Sequence, residues 1–314
     1  MNIVFYHLKH PSPKENISAD SAAWNDKYAS NVKANIEFTA NNFPESTVIL
    51  ISDDRALLNL NLPNLVTIET HPRRCSPNSR QHQFLTNYFH YYEEGHEDIV
   101  ITFTERWFAI YDYLKENGIE NFVSLDSDCL LLEDITQHDY KKIGINIVSD
   151  IENCWPNTLI CSTTHLNEFL DFVCSFYADL HTSQKSGSAY IDSFLKKSKL
   201  GICDMGLWYL MYQKYPDSFI NNLTIDSNDS VHDLVLGYDP KDPLLQKECQ
   251  KFMTQNDGSM EIRKVIHTED GPCFEERKTQ KLIKAKSLHF SPGELKFKIK
   301  PFIEEYQKIY SKAL

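Results

Sequence analysis

Long apolar runs are missing. No stretch approaches the roughly 18 consecutive apolar residues that cross a bilayer. The opening Met1-Asn2-Ile3-Val4-Phe5-Tyr6-His7 meets Lys9 before it can form a signal-peptide core, which points to a cytoplasmic protein. Paired-cysteine motifs are missing too: Cys75, Cys129, Cys154, Cys161, Cys174, Cys203, Cys249 and Cys273 show no Cys-x-x-Cys spacing, and several fall in apolar surroundings, as reduced core thiols do. Positive charge is short. The net charge of -12 argues against a nucleic-acid partner, which would require a basic face. The chain also lacks Gly-x-Gly-x-x-Gly, Gly-x-x-x-x-Gly-Lys, Gly-x-Ser-x-Gly and His-Glu-x-x-His, so neither a Rossmann dehydrogenase nor a P-loop, serine-hydrolase or zincin site is supported.

What is present is enough apolar material for a large core: 314 residues, 41% hydrophobic and 12% aromatic, fit one large α/β domain or a domain with an appended lobe. Ile3 to His7 reads as a first strand, followed by a long loop from Lys9 to about Ala29. Near-helical apolar spacing predicts a helix over Asn31 to Asn42, ended by Pro44. The β-branched run Thr47 to Ser52 and the stretch Leu65 to Thr70 complete a βαβ rhythm typical of a nucleotide-binding half. Helices are expected at His82 to Tyr92 and Thr104 to Asn117, and a strand at Lys141 to Val148.

The chain organises itself around Asn121-Phe122-Val123-Ser124-Leu125-Asp126-Ser127-Asp128-Cys129-Leu130-Leu131-Leu132. Its apolar first half reads as a buried parallel strand, which places Asp126 and Asp128 at the carboxyl end, where α/β sheets bind ligands. On an extended backbone the two carboxylates point the same way, and their repulsion is relieved by a hard divalent cation, which can in turn hold a diphosphate. The plain alternative is a solvated turn. Asp53 and Asp54, at another strand tip, fit either a ribose or base contact or the cap of a short helix from Arg55 to Leu58. Asp204 stands before an apolar helix running to Tyr215 and reads as its N-cap.

The Asp126 segment resembles the Asp-x-Asp segment of GT-A glycosyltransferases, in particular the glycogenin-like and related bacterial families. Two more segments share the likeness: Glu105-Arg106-Trp107-Phe108, just before the Asp-x-Asp strand, and Ser287-Leu288-His289-Phe290-Ser291-Pro292-Gly293-Glu294-Leu295-Lys296 near the end, which has one residue more than the family spacing before its glycine. The resemblance implies a GT-A, Rossmann-like mixed sheet flanked by helices. It implies Mn2+ or Mg2+ held by Asp126, Asp128 and His289, with the donor diphosphate or nucleotide met by Arg106, Asp126 and Lys296, to which the strand-tip position adds Asp53. Asn157 would contact the donor sugar, or be a plain turn residue, and Asp204 would act near the reactive carbon. Arg106 has an alternative as a surface arginine paired with Glu105 or Asp112.

The expectation is therefore a metal-dependent glycosyltransferase that uses a nucleotide-diphosphate sugar, a UDP-sugar first, and a saccharide or lipid-linked acceptor of the kind met in polysaccharide biosynthesis. It is read as a single domain with a nucleotide-binding half (1–135), an acceptor-side half (136–276) and a basic tail (277–314). The tail carries ten basic residues against three glutamates, fit for an anionic membrane surface or for a solvated helix face. The rivals are a haloacid-dehalogenase-like phosphatase, a nucleotidyltransferase and a non-enzymatic carbohydrate-binding protein.

Overall fold

A computed structural model describes residues 1–8, 19–71, 75–87, 97–135, 138–149, 152–183, 203–232, 234–238, 252–257, 260–290 and 293–310. The strands are β1 (Asn2–His7), β2 (Thr47–Ser52), β3 (Leu65–Glu69), β4 (Asn121–Leu125), β5 (Cys129–Leu131), β6 (Ile143–Val148), β7 (Asn153–Ser162), β8 (Phe219–Asn221), β9 (Ser230–Val231), β10 (Leu234–Val235), β11 (Gly237–Tyr238), β12 (Thr254–Asp257), β13 (Met260–Arg263), β14 (Val265–Thr268), β15 (Gly271–Glu275), β16 (Leu282–Ala285) and β17 (Ser287–His289). The helices are α1 (Ala19–Asn42), α2 (Arg55–Leu58), α3 (Arg80–Asn87), α4 (Glu97–Glu116), α5 (Thr163–Ser183), α6 (Asp204–Lys214) and α7 (Ile299–Tyr310).

Seven strands form the main sheet in the order β3-β2-β1-β4-β7-β6-β8. The first four are parallel, β7 runs antiparallel to both β4 and β6, and the whole is the mixed α/β sheet flanked by helices that the sequence predicts. Chain order reverses between β1 and β4. In sheets of this kind that reversal opens a crevice beyond the carboxyl ends of the strands, and Asp126 follows β4 directly.

Continuous runs of Val, Ile and Leu make β1 and β2 strands buried on both faces. One face packs on α4, α5 and α6 through Trp107, Phe108, Phe169, Trp208 and their neighbours, and the other packs on α1 through Val32, Ile36 and Ala40. The chain between Lys9 and Ala29 is in part helix, since α1 starts at Ala19 and not near Asn31. Of the expected helix from His82 to Tyr92, residues 80–87 are helical and the rest lie outside the described residues.

The C-terminal segment is woven into the first half. β17 pairs antiparallel with β5, placing His289 opposite Cys129. α7 buries Ile299 and Ile303 in a cluster with Phe38 and Leu130. The hairpin expected around His267 is present as β14 and β15. Much of the tail's positive charge is paired within the chain: Lys281 with Asp229, Lys284 with Glu133, Lys286 with Asp226 and Lys296 with Asp128. No helix among the described residues is long and apolar enough to cross a membrane.

Candidate active site

Asp126 and Asp128 do not sit on extended backbone. The Cys129 amide donates to the Asp126 carbonyl at 2.8 Å, closing a tight turn, and the Asp126 amide donates to the Asn157 carbonyl of β7 at 2.8 Å. The turn is fastened from below by Asn35 of α1, a fully buried side chain whose Nδ2 donates to the carbonyls of Ser127 (3.1 Å) and Cys129 (2.7 Å). Tyr28, also on α1, bonds the Ser127 hydroxyl at 2.8 Å. A turn sends alternate side chains apart, so the expectation of two parallel carboxylates gives way to two carboxylates with separate partners.

Asp126 faces α4 and α6. Arg106 Nη1 donates to Asp126 Oδ1 at 2.5 Å and Arg106 Nη2 donates to Asp204 Oδ2 at 2.8 Å, so one guanidinium fork spans both acids. Trp107 Nε1 adds a bond to the same Asp204 oxygen at 3.0 Å. Arg106 is buried and is not the surface arginine of the alternative reading. Packing sets this meeting point. Trp107 meets Trp208 and Phe169 edge-on, and those two rings stack at 3.6 Å, locking α4, α5 and α6 together. Burial works against the charge on Arg106, but Asp126 and Asp204 outweigh it and raise its pKa. Burial pushes the Asp126 carboxyl up, with Arg106 pulling it down.

Asp204 is the first residue of α6 and not its cap. The cap position is Cys203, which makes no side-chain cap bond, while Asp204 Oδ1 accepts from the Met205 amide at 2.9 Å. With 1% exposure and both oxygens bonded, Asp204 is an anchor for Arg106.

Asp128 faces the C-terminal segment. His289 Nε2 lies 3.5 Å from its Oδ1 and Lys296 Nζ lies 2.9 Å from its Oδ2. Burial alone would raise its pKa, yet His289 and Lys296 hold it well below the usual carboxylate range. His289 stands on β17 and not in a loop. Its Nδ1 is 3.0 Å from Asn157 Nδ2, and Asn157 is a buried residue in the middle of β7 and not a turn residue. Donor atoms of Asp128, Cys129 and His289 lie within 4.8 Å of one another, all three buried. A carboxylate, an imidazole and a thiol in that space make a donor set that fits a divalent transition ion.

Lys296 meets Asp128 despite the extra residue before Gly293. Asp54 caps α2, accepting from the Ala56 amide at 2.9 Å, which leaves Asp53 at the tip of β2. Beside it, a cavity of about 270 Å³ is lined by Tyr6, Glu69, Thr70, His71, Gln81, Glu105 and Ala109. Glu105, the neighbour of Arg106, is itself buried and accepts from Gln81 at 2.5 Å.

Sequence reasoning did not single out Asn35, Tyr28 or Trp107, nor Cys129 as a ligand. A polar residue between Val32 and Ile36 on the apolar stripe of α1 was the available sign for Asn35. Nothing in the sequence signalled the cross-strand pairing that brings Cys129 to His289.

No family model matches the chain, and no curated protein matches it. Among solved structures the chain is similar to mouse xyloside xylosyltransferase 1 in its apo form, with 10% identity, 70% of this chain and 85% of that one covered, and a TM-score of 0.43. It is similar to a glycosyltransferase involved in glycosylating the major capsid of PBCV-1, with 9% identity, coverage of 96% and 98%, and a TM-score of 0.36. A third is the galactosyltransferase LgtC in complex with donor and acceptor sugar analogues, with 11% identity, coverage of 88% and 90%, and a TM-score of 0.38. At these identities and TM-scores the likeness carries no functional assignment.

Proposed function

We propose that the protein is a metal-dependent glycosyltransferase of GT-A type. It moves a sugar from a nucleotide-diphosphate donor, a UDP-sugar first, to a saccharide or lipid-linked acceptor. The observation that carries the reading is the pair of acids at the sheet's mouth, one tied to Arg106 and the other set between His289 and Lys296. Those two cations and one imidazole, converging beyond the ends of β1 and β4, suit a substrate with several negative oxygens.

Asp128 and His289, with Asp126 and Cys129 near, are the residues that would hold the ion, and the imidazole favours Mn2+ over Mg2+. A bound divalent ion supplies Lewis-acid neutralisation of the departing diphosphate. Asn157 governs the imidazole. With its Nδ2 donating to His289 Nδ1, the ring proton lies on Nε2, toward Asp128. A half-turn of the amide offers Oδ1 to Nδ1–H instead and frees the Nε2 lone pair for a metal. Lys296 supplies positive charge for phosphate oxygens, and Arg106, its fork held by Asp126 and Asp204, adds to the positive field from a fixed position. Asp204 keeps that fork aimed. Its bonded oxygens favour holding charge in place over taking a proton from the acceptor. Asp53 and the neighbouring cavity give the nucleoside a polar seat beside Arg106.

The test is a panel of sugar nucleotides assayed for Mn2+-dependent cleavage, with Asp128→Ala as control. The reading expects a nucleoside diphosphate to be released by the wild type alone. Turnover of simple phosphate esters would favour the phosphatase, release of pyrophosphate the nucleotidyltransferase, and no turnover of any sugar nucleotide a binding protein.

A further inference from the structure

Both oxygens of Asp128 face nitrogens of the chain itself. Lys296 Nζ is 2.9 Å from Oδ2 and His289 Nε2 is 3.5 Å from Oδ1. The two differ in what they can do next. His289 is fixed on β17 by pairing with β5, and an imidazole can exchange a proton for a metal. An ammonium has three donors and no lone pair, so it can share a carboxylate with a divalent ion only against direct charge repulsion.

Lys296 is also the member of the group that can leave. Its side chain is 31% exposed, against 6% for Asp128. It rises from a 3-10 segment, Gly293–Lys298, next to the start of α7, and its ammonium lies 5.6 Å from the centre of the Tyr28 ring. Tyr28 is bonded to Ser127, inside the acidic turn, so the aromatic face offers the ammonium a resting place beside Asp128. Arg106 has no such freedom, since it is itself buried and its two Nη groups are held by two different acids, the half-buried Asp126 and the buried Asp204.

We propose that Lys296 is a built-in competitor for the metal site: it neutralises Asp128 in the free protein and must give up Oδ2 when a divalent cation binds. The same lysine then becomes the donor nearest to whatever anion the cation carries. This rests on the proposed metal-dependent reading. It adds a consequence that the reading alone does not have, namely that the bare ion binds weakly and the ion with a diphosphate binds well. With a diphosphate present, the displaced ammonium gains a new anionic partner. With the bare ion it gains none.

The experiment is titration of Mn2+ by electron paramagnetic resonance, with and without UDP, on wild type, Lys296→Met, Lys296→Arg and Asp128→Ala. Without UDP, Lys296→Met is expected to bind Mn2+ about tenfold more tightly than wild type, which corresponds to about 1.4 kcal/mol. Lys296→Arg, which keeps the charge, is expected to bind no more tightly than wild type. With UDP present, Lys296→Met is expected to lose affinity for the Mn2+–UDP pair. If Mn2+ binding is abolished by Asp128→Ala but unchanged or weakened by Lys296→Met, the competition is overturned and the metal site stands. If wild type shows no Mn2+ binding that depends on Asp128, the metal reading falls and the competition with it.

Discussion

The two sides of the acidic turn are built differently. On the side of Asp126 an arginine lies inside the protein between two acids, braced by Trp107 of α4 set edge-on against the stacked rings of α5 and α6. On the side of Asp128 a partly exposed lysine and an imidazole reach in from a short strand and a 3-10 segment. The first arrangement is a fixed frame, since removing Arg106 strands the buried charge of Asp204. The second can exchange partners, because its lysine can return to solvent. A site that must take up a charged substrate and release it needs both, a frame that keeps the geometry and a contact that yields.

The largest effect should come from breaking the frame. Arg106→Met leaves Asp126 and Asp204 uncompensated and is expected to cost roughly 3–5 kcal/mol in a urea unfolding titration, the range for an orphaned buried charge. A loss below about 1 kcal/mol would show the frame to be as loose as the other side.

The second concerns a pair of histidines outside the turn. His138 Nε2 and His232 Nδ1 are buried without hydrogen-bond partners, and their rings lie 6.4 Å apart. Burial pushes both pKa values down, His232 to about 3, with Lys286 nearby pushing the same way and Asp139 and Asp226 opposing. A histidine whose pKa is depressed on folding binds its proton more readily when unfolded. Its contribution is therefore complete above the ordinary value of 6.5 and is lost as the pH falls toward about 3. Stability should drop between those limits by up to roughly 1.4 kcal/mol per pH unit from His232. His232→Gln should flatten the curve in thermal melts across that range. An unchanged slope would show that His232 is already solvated in the folded protein.

Trp107→Phe removes the indole hydrogen bond to Asp204 and leaves part of a fully buried ring's space unfilled, for about 2 kcal/mol in the same urea titration. Lys296→Met removes one of the two partners of the buried Asp128 and leaves His289 in place, so it should cost about 1 kcal/mol, well below Arg106→Met, while altering metal affinity. Equal losses at Arg106 and Lys296 would erase the contrast between the two sides.

The sheet was legible because β1, β2 and β4 carry their burial in the residues themselves, largely apolar runs, with β2 and β4 followed directly by acids. The residues converging on the turn were legible for a second reason: Arg106, Asn157, His289 and Lys296 stand in segments that resemble a known family, and Asp204 also stands at the start of an apolar helix. Their partners were not. That Arg106 bridges Asp126 and Asp204, residues 20 and 98 positions away along the chain, follows from how α4 packs on α6. That Asp128 and Asp126 part company follows from a turn hydrogen bond, where an extended backbone was expected. The short strands from β9 to β17 were largely illegible, since strands of two to five residues hold too little periodicity to stand out, and the pairing of β17 with β5 spans more than 150 residues of chain. The early start of α1 was hidden by a polar first half.

The central claim is that Asp128 anchors a divalent cation on which a nucleoside diphosphate is held. Isothermal titration of UDP into the protein, with and without Mn2+, on wild type and Asp128→Asn, tests it most directly. The account predicts that Mn2+ strengthens UDP binding to the wild type at least tenfold and leaves Asp128→Asn unchanged. UDP binding that is indifferent to Mn2+ in the wild type, or equally enhanced in Asp128→Asn, would contradict it.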